Sequence, residues 1–408
     1  MHSFQIRARQ PLFFMHIPKT AGMSMRLYLS EQYHPHDISP VLRWRGLLGR
    51  EHELASYRLV QGHFQYNLRA LLAKDTRVLV ILRDPLRRTV SALRHLQRDP
   101  SFHADHQLAQ GLTLAQMIRH PALMRNQHNV QARYLCASMP PDQVAAYFEQ
   151  QRPHNPNADA GDREQPPTVT LATERLEATD FVGLTEDIGA VVSAMALEMN
   201  YHPPLYFPFI NENPNRQDPL DGLTDDDLAI LRENNDIDLQ IYDYARRLIE
   251  RRTFARDMRQ LLRSGVYAVP PGSFEVPLSG IMPGSGWYAP DQNDGLSWRW
   301  TGPGRHFTVE LPLRPDTSYR LIMRFGSLHP VGPGDLTAEV NDLPMPFDLT
   351  PEGNSYRAAL TIPQDLLGRN AGFCRIRFDT KVTTKLPPPE IRALGISVRQ
   401  IVFECLDP

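Results

Sequence analysis

The sequence predicts an α/β domain built on a parallel sheet and opening on a P-loop-like turn, followed by an all-β sandwich. Three observations carry this. At 408 residues the chain is longer than one ordinary core serves, which suggests at least two domains. From residue 11 to about 264, short apolar runs alternate with longer helical segments, the pattern of strands and helices taking turns around a parallel sheet. After Gly265 helical periodicity stops, and short alternating runs are separated by Gly, Pro, Asn and Asp, as in a sandwich of roughly seven or eight strands. The boundary is expected near "SGVYAVPPGS", residues 264–273, giving domains of 1–265 and 266–408. No internal repeat is visible.

In chain order, the expected strands of the first domain are Leu12–Ile17, Tyr57–Val60, Val78–Leu82 and Phe181–Leu184. Apolar spacing near 3.6 marks helices at Met23–Glu31, Leu86–Gln97, Leu114–Leu123, Ile188–Met199 and Leu239–Leu262, the last rich in Arg at its exposed positions. Residues 151–167, "QRPHNPNADAGDREQPP", are polar and proline-rich, hence a loop or a disordered insertion. In the second domain "HFTVELPL", "YRLIMRF", "LTAEVND" and "FCRIRFD" read as strands.

Composition narrows the function classes. With 44 Lys+Arg against 46 Asp+Glu the net charge is -2, so nothing global points to nucleic acid or to an anionic membrane surface, and local basic clusters must hold any anion. Cys136, Cys374 and Cys405 are odd in number and widely spaced, which fits neither a disulfide framework nor a zinc site and suggests a reducing, cytoplasmic compartment. The first apolar run is too short for a signal-peptide core, and no stretch approaches the roughly 20 apolar residues that span a bilayer, so no transmembrane segment is expected. The sequence does not give an oligomeric state.

Two motifs carry chemistry. "FFMHIPKTAGMSM", residues 13–25, is an apolar run that breaks into Lys-Thr-x-Gly-x-Ser and then helix formers, but it lacks the first glycine of a nucleoside-triphosphate P-loop. A strand ending at Ile17 and a helix beginning near Gly22 would aim backbone N–H groups and a helix dipole into one small volume. Lys19 adds charge there, and Thr20 and Ser24 add hydroxyls. Alone, this could equally be a strand–helix turn with a surface lysine. "VLVILRDPLRRTVSALRHL", residues 78–96, is a buried strand ending on Arg83, then Asp-Pro suited to the first positions of a helix, with Ser91 two turns in. Arg83 leaves the carboxyl end of its strand, where α/β sheets bind ligands, and a guanidinium there can grip a phosphate with two hydrogen bonds. A capped helix with solvated arginines explains Arg87 and Arg88, but not the joint occurrence of the two motifs.

Together the two segments resemble the sulfotransferase family that uses 3′-phosphoadenosine 5′-phosphosulfate (PAPS), in the bacterial branch similar to heparan sulfate 2-O-sulfotransferase. The resemblance extends through "QGHFQYNL" (61–68), "NVQARYL" (129–135), "VGLTED" (182–187) and "NENPNR" (211–216), and so covers most of residues 11–264. It implies that Lys19, Thr20, Ala21, Gly22 and Ser24 form the 5′-phosphosulfate loop and that Arg83 and Ser91 hold the 3′-phosphate. Arg133 and Tyr134 would line the nucleotide pocket, unless "ARYL" is a buried amphipathic turn, and Arg216 would close over the nucleotide. His63 matches the family's catalytic histidine, while Gln61 replaces the first histidine of the family's His-Gly-His version. Met23 departs from the small or hydroxylated residue common in relatives.

The implied reaction is an in-line displacement, so the protein mainly positions groups and offsets charge, with Lys19 at the leaving oxygen and His63 as general base toward a sugar hydroxyl. No metal constellation is visible, and none is expected, because the leaving group of such a donor is already activated. The expected acceptor is a carbohydrate. His16 reads as structural, His95 as lying near the nucleotide, and "TED" at 185–187 as a helix cap. Two other readings compete: a P-loop-like kinase using ATP, disfavoured by the missing upstream glycine and Walker-B carboxylate, and a catalytically silent glycan-binding protein of the same fold, disfavoured by the joint retention of Lys19, His63, Arg83 and Ser91. Trp287, Trp298 and Trp300 could stack on sugars or fill the sandwich core.

Overall fold

The computed structural model describes residues 9–100, 104–140, 166–202, 218–265, 268–369, 372–381 and, with short breaks, 383–406. Arg216 and residues 151–165 of the polar insertion lie outside these. The chain divides into two compact units, Met1–Ile249 and Glu250–Pro408.

The first unit is built on four parallel strands, β1 (Leu12–Met15), β2 (Leu59–Gly62), β3 (Arg77–Leu82) and β4 (Phe181–Leu184), in the order β2-β1-β3-β4. β1 is central and fully buried. Its odd and even residues serve opposite faces: Phe13 and Met15 join one core with Val60, Val80, Leu82 and Leu135, while Leu12 and Phe14 join another with Met25, Leu29, Ile81 and Val191. This period of two explains why the run reads as continuously apolar.

The predicted strands and helices appear with shifted ends. The first helix is Gly22–Ser30, the helix after β3 is Pro85–Arg98, and a helix at Ile188–Glu198 follows β4. The expected helix Leu114–Leu123 is two pieces, Leu114–Ile118 and Pro121–Arg125, because Pro121 cannot continue the first and instead opens the second. The long C-terminal helix runs from Asp236 to Arg263. Its start interlocks with the helix Val130–Cys136: Asn129 Oδ1 accepts the N–H groups of Ile237 and Asp238, and the Asp238 carboxylate accepts those of Gln131 and Ala132. Each helix thus caps the other.

The second unit contains two large antiparallel sheets and a small one in which β15 (Thr384–Lys385) pairs β16 (Ala393–Leu394). The first large sheet has the order β11-β10-β14-β8, with β8 at His306–Pro312, β10 at Leu336–Val340, β11 at Leu343–Met345 and β14 at Phe373–Thr380. The larger runs β12-β13-β9-β17-β7-β6, from β12 (Asp348–Glu352) through β13 (Ser355–Ile362), β9 (Tyr319–Ser327), β17 (Ile396–Cys405) and β7 (Leu296–Trp300) to β6 (Asp291–Asn293), and β5 (Phe274–Glu275) also pairs β17. Both large sheets feed one core, including Phe307, Ile376 and Phe378 from the first and Met323, Phe325, Val398 and Phe403 from the second. A register shift between Val398 and Gln400 moves the inward positions of β17 from 396 and 398 to 401 and 403, which keeps all four apolar side chains in that core.

The tryptophans separate. Trp287 packs against this core, edge-on to Phe307 at 5.0 Å, and donates from Nε1 to the Thr308 carbonyl at 2.7 Å. Trp298 and Trp300 alternate with buried Arg299 on β7 and are half-buried on its other face, beside exposed Leu296. Among the described residues, no helix is long and apolar enough to cross a membrane.

Candidate active site

Parallel strands deliver their following loops to one edge of the sheet, and the order β2-β1-β3-β4 makes β1 and β3 the point where successive connections leave in opposite directions. The loop after β1 and the loop after β3 therefore flank a crevice. Both sequence motifs lie on these loops.

After β1 the chain turns through residues 16–21 into the helix Gly22–Ser30. Lys19 (φ 72°) and Ala21 (φ 59°) take left-handed backbone on either side of Thr20, a conformation that non-glycine residues rarely adopt and that favours a concavity of N–H groups. Thr20 is fully buried, and its hydroxyl donates to the Ile17 carbonyl at 3.0 Å, so it braces the turn from inside. Ser24 is buried in the first helical turn. A Cβ on Gly22 would lie 1.7 Å from His16 Nε2, so only glycine lets the His16 ring rest against the start of the helix. Burial pushes the Lys19 ammonium below its ordinary pKa, with Arg98 and Arg83 adding repulsion and Asp99 opposing it.

After β3, the Asp84 side chain accepts the Arg87 N–H at 2.9 Å and Pro85 occupies the first helical position. The Gln131 amide clamps Arg83 from both sides, accepting its N–H and donating to its carbonyl, each at 2.9 Å. The guanidinium donates from Nη1 to the Lys19 carbonyl at 3.1 Å, which ties the two loops together, while Arg83 Nε is buried without a hydrogen-bond partner. Burial lowers the Arg83 pKa, opposed by Glu186 and Asp84. Ser91 lies half-buried on the helix Pro85–Arg98.

His63 follows β2 directly. Gly62 makes its placement possible, since a Cβ there would lie 2.4 Å from the Leu42 carbonyl, which also accepts the His63 N–H at 2.8 Å. His63 Nδ1 lies 3.0 Å from the His16 carbonyl. A carbonyl can only accept, so Nδ1 carries the proton and Nε2 keeps its lone pair. The two imidazoles stack, with centroids 4.2 Å apart and planes 30° from parallel. Burial pushes the His63 pKa down to about 4; Arg43, Arg26 and Lys19 push the same way, and the hydrogen bond to His16 opposes them. His16 is driven to about 2 by burial, then by His63, Arg26 and Lys19. Among the described residues no carboxylate acts on either ring, which leaves a histidine that is neutral near pH 7 in an electropositive setting.

The remaining expected residues sit as follows. Arg133 donates to the Asn126 carbonyl at 2.9 Å, and Tyr134 is 3 % exposed within the core that contains Val130 and Leu135. His95 lies 3.6 Å from Asp99, with its pKa lowered by burial and by Lys19. Arg87 and Arg88 are not the solvated pair expected: Arg87 makes a 2.5 Å ion pair with Asp218, and Arg88 is fully buried, donating to Thr89 Oγ1 and to Gln127. "TED" does not cap the helix that follows it. Thr185 Oγ1 instead donates to the Leu82 carbonyl, and Glu186 accepts the Asp84 N–H, so both tie β4 to the end of β3.

Sequence reasoning did not single out Gln131, Arg26 or Arg43. Gln131 stood within "NVQARYL", but its role depends on a contact across 48 positions. Arg26 is visible only as one arginine on an amphipathic helix, although its Nε is buried without a partner.

Comparison with curated proteins finds no match. The Sulfotransferase family matches residues 2–245, more than half of the 408-residue chain and a span that contains β1 to β4, both loops and His63. A parallel sheet with basic loops at its switch point, matched over that span, places the chain in the sulfotransferase family.

Proposed function

We propose that the protein moves the sulfonyl group of PAPS to a sugar hydroxyl of a glycan or glycolipid, on a P-loop-like domain of the heparan sulfate 2-O-sulfotransferase-like bacterial branch. The observation that carries this reading is the Arg83–Lys19 link at the switch point, where two desolvated cations on neighbouring loops share the crevice and Arg83 Nε is left wanting an acceptor. An anion with two phosphoryl-type groups fits this arrangement. The 5′-phosphosulfate would lie on the loop of Lys19, Thr20, Ala21, Gly22 and Ser24, and the 3′-phosphate at Arg83 and Ser91. Bound there, the donor supplies an activated sulfonyl group.

The chain's own groups do the rest. His63 Nε2 takes the proton of the attacking hydroxyl, and Lys19 offsets the charge that collects on the departing phosphate. A histidine already neutral at pH 7 is ready to act as base without first losing a proton, so the acid limb of kcat/KM should fall near pH 4. Arg26, Arg43 and Lys19 around His63 favour an acceptor that is itself anionic. We place the end of the transferase domain near Gly265, because the helix Asp236–Arg263 is continuous and an earlier cut would sever it.

Calorimetry with 3′-phosphoadenosine 5′-phosphate against ATP–Mg²⁺ tests the nucleotide, and tighter binding of ATP–Mg²⁺ would sink the reading. His63→Ala should keep nucleotide affinity and lose turnover. An unchanged rate removes histidine base catalysis from the account.

A further inference from the structure

We propose that His16 is a positioning residue, whose backbone carbonyl and side-chain ring together hold His63 in a single tautomer and ring plane with Nε2 as the basic nitrogen. The carbonyl fixes the tautomer, since His63 can meet it only with Nδ1–H. The ring fixes the plane. It lies between Phe14, at 5.5 Å and 13°, and His63, at 4.2 Å and 30°, so the three rings form a stack that starts in the β1 core and ends at the site.

Several features show that this slot is built for the His16 ring. His16 is 5 % exposed, and the first residue of the following helix must be glycine to leave the ring room. Its Nδ1 is buried without a hydrogen-bond partner, so the ring is not held there by a polar contact through that nitrogen. What it provides is a flat, uncharged cover on one face of His63. Among the described residues, the charged groups that act on His63 are Arg43, Arg26 and Lys19, opposed by the His16 backbone carbonyl, and the titratable or charged groups that act on His16 are His63, Arg26 and Lys19. With these cations around the pair, a proton on either ring is disfavoured, and the cover adds to this by keeping water off His63.

The inference rests on His63 being the base only for its effect on rate. Its structural content can be read without turnover, from the nitrogen shifts of the imidazoles across pH. In wild type, His63 should show the Nδ1–H tautomer and titrate well below pH 6. His16→Ala keeps the carbonyl but opens the covered face, so the His63 titration should move up toward 6.5 and kcat should fall at least tenfold, with nucleotide affinity within about twofold. His16→Phe restores a flat uncharged ring and should return both the titration and kcat to within a few fold of wild type.

An Nε2–H tautomer for His63 in the wild-type protein overturns the proposal even if no variant folds. So does an unmoved His63 titration in folded His16→Ala, or a His16→Phe protein that behaves like His16→Ala. Should the spectra follow expectation while His63→Ala retains full turnover, the base assignment fails and the positioning of His63 stands.

Discussion

Two arginines, one in each unit, meet burial in opposite ways. Arg299 on β7 is 8 % exposed and spends its guanidinium on three backbone carbonyls: Nε to Leu278 at 2.7 Å, Nη1 to Tyr288 at 2.9 Å and Nη2 to Gly280 at 2.5 Å. Arg83 gives Nη1 to the Lys19 carbonyl and leaves Nε buried without a partner. The contrast extends beyond the pair. His16 Nδ1, Arg26 Nε and Gln61 Oε1 are likewise buried without hydrogen bonds in the β1 and β2 region, whereas among the described residues of the second unit only Thr384 Oγ1 is. Each such atom costs about 1–3 kcal/mol. The first unit also buries Arg9 Nε, Asn67 Oδ1, Arg88 Nε, His120 Nδ1 and Asn234 Nδ2 in this way, so the contrast is between the units, and Arg83 Nε, on the guanidinium tied to the Lys19 carbonyl, is the atom a ligand at the switch point would satisfy.

The hardest test of that contrast is Lys19. Lys19→Ala should lower kcat by about 10²- to 10³-fold, as removal of one transition-state charge does. The melting temperature should not fall, because a desolvated ammonium beside Arg98 and Arg83 leaves with it. Lys19→Gly should gain about 1 kcal/mol more, since glycine adopts a φ of 72° without the clash a Cβ brings. Early melting with activity retained would make Lys19 a structural lysine and erase the difference between the units.

Arg299→Ala leaves three carbonyls without their donor and should cost about 3 kcal/mol of stability by denaturant titration. Arg83→Ala should cost under about 1 kcal/mol, since its one guanidinium contact is replaceable by water, but should lose about 1.5–3 kcal/mol of discrimination between 3′-phosphorylated and 3′-dephosphorylated nucleotides. If both variants unfold alike and nucleotide preference is unchanged, Arg83 is a scaffold residue.

The tryptophans sharpen the picture within the second unit. Trp287→Ala removes a ring packed on the core and the donor to Thr308, at about 2–3 kcal/mol, while Trp298→Ala and Trp300→Ala should each cost about 1 kcal/mol or less. Equal losses for all three would mean that the outward face of β7 is as tightly packed as the core.

How much of this was legible in the sequence depended on the range of the contact. The runs at 12–15, 77–82 and 181–184 announce buried strands because all their residues but the end residues Arg77 and Leu184 are buried, and Lys19, Arg83 and His63 could be singled out because each follows closely the strand that carries it. Side chains whose role is set across the chain were not found. Arg88 read, like Arg87, as a solvated arginine, yet helix phase turns it toward Gln127 and the buried Asp238. His16 read as structural because its partner is 47 positions away. Thr185 and Glu186 matched a capping pattern and instead join β4 to the end of β3, since that pattern cannot distinguish a free helix start from a tie between strands.

The smallest expected effect concerns the same histidines through stability. His16 and His63 sit at about 2 and about 4 when folded, below the 6.5 of an exposed imidazole, so between pH 6.5 and 4 the unfolded chain binds protons that the folded one does not. Stability therefore falls as pH drops through 6.5, and the loss stops growing only below the folded values. From pH 7 to pH 6 the pair should contribute at most about 1–1.5 kcal/mol of loss, and less in so far as His63 is partly solvated. His16→Phe removes one of the two titrating groups while leaving His63 covered, so its stability should decline by about 0.5 kcal/mol less than wild type over that unit of pH. The other thirteen histidines cancel in the difference between the two proteins. Parallel declines would mean that His16 is protonated in the fold as readily as out of it, and that the uncharged histidine pair is not maintained in solution.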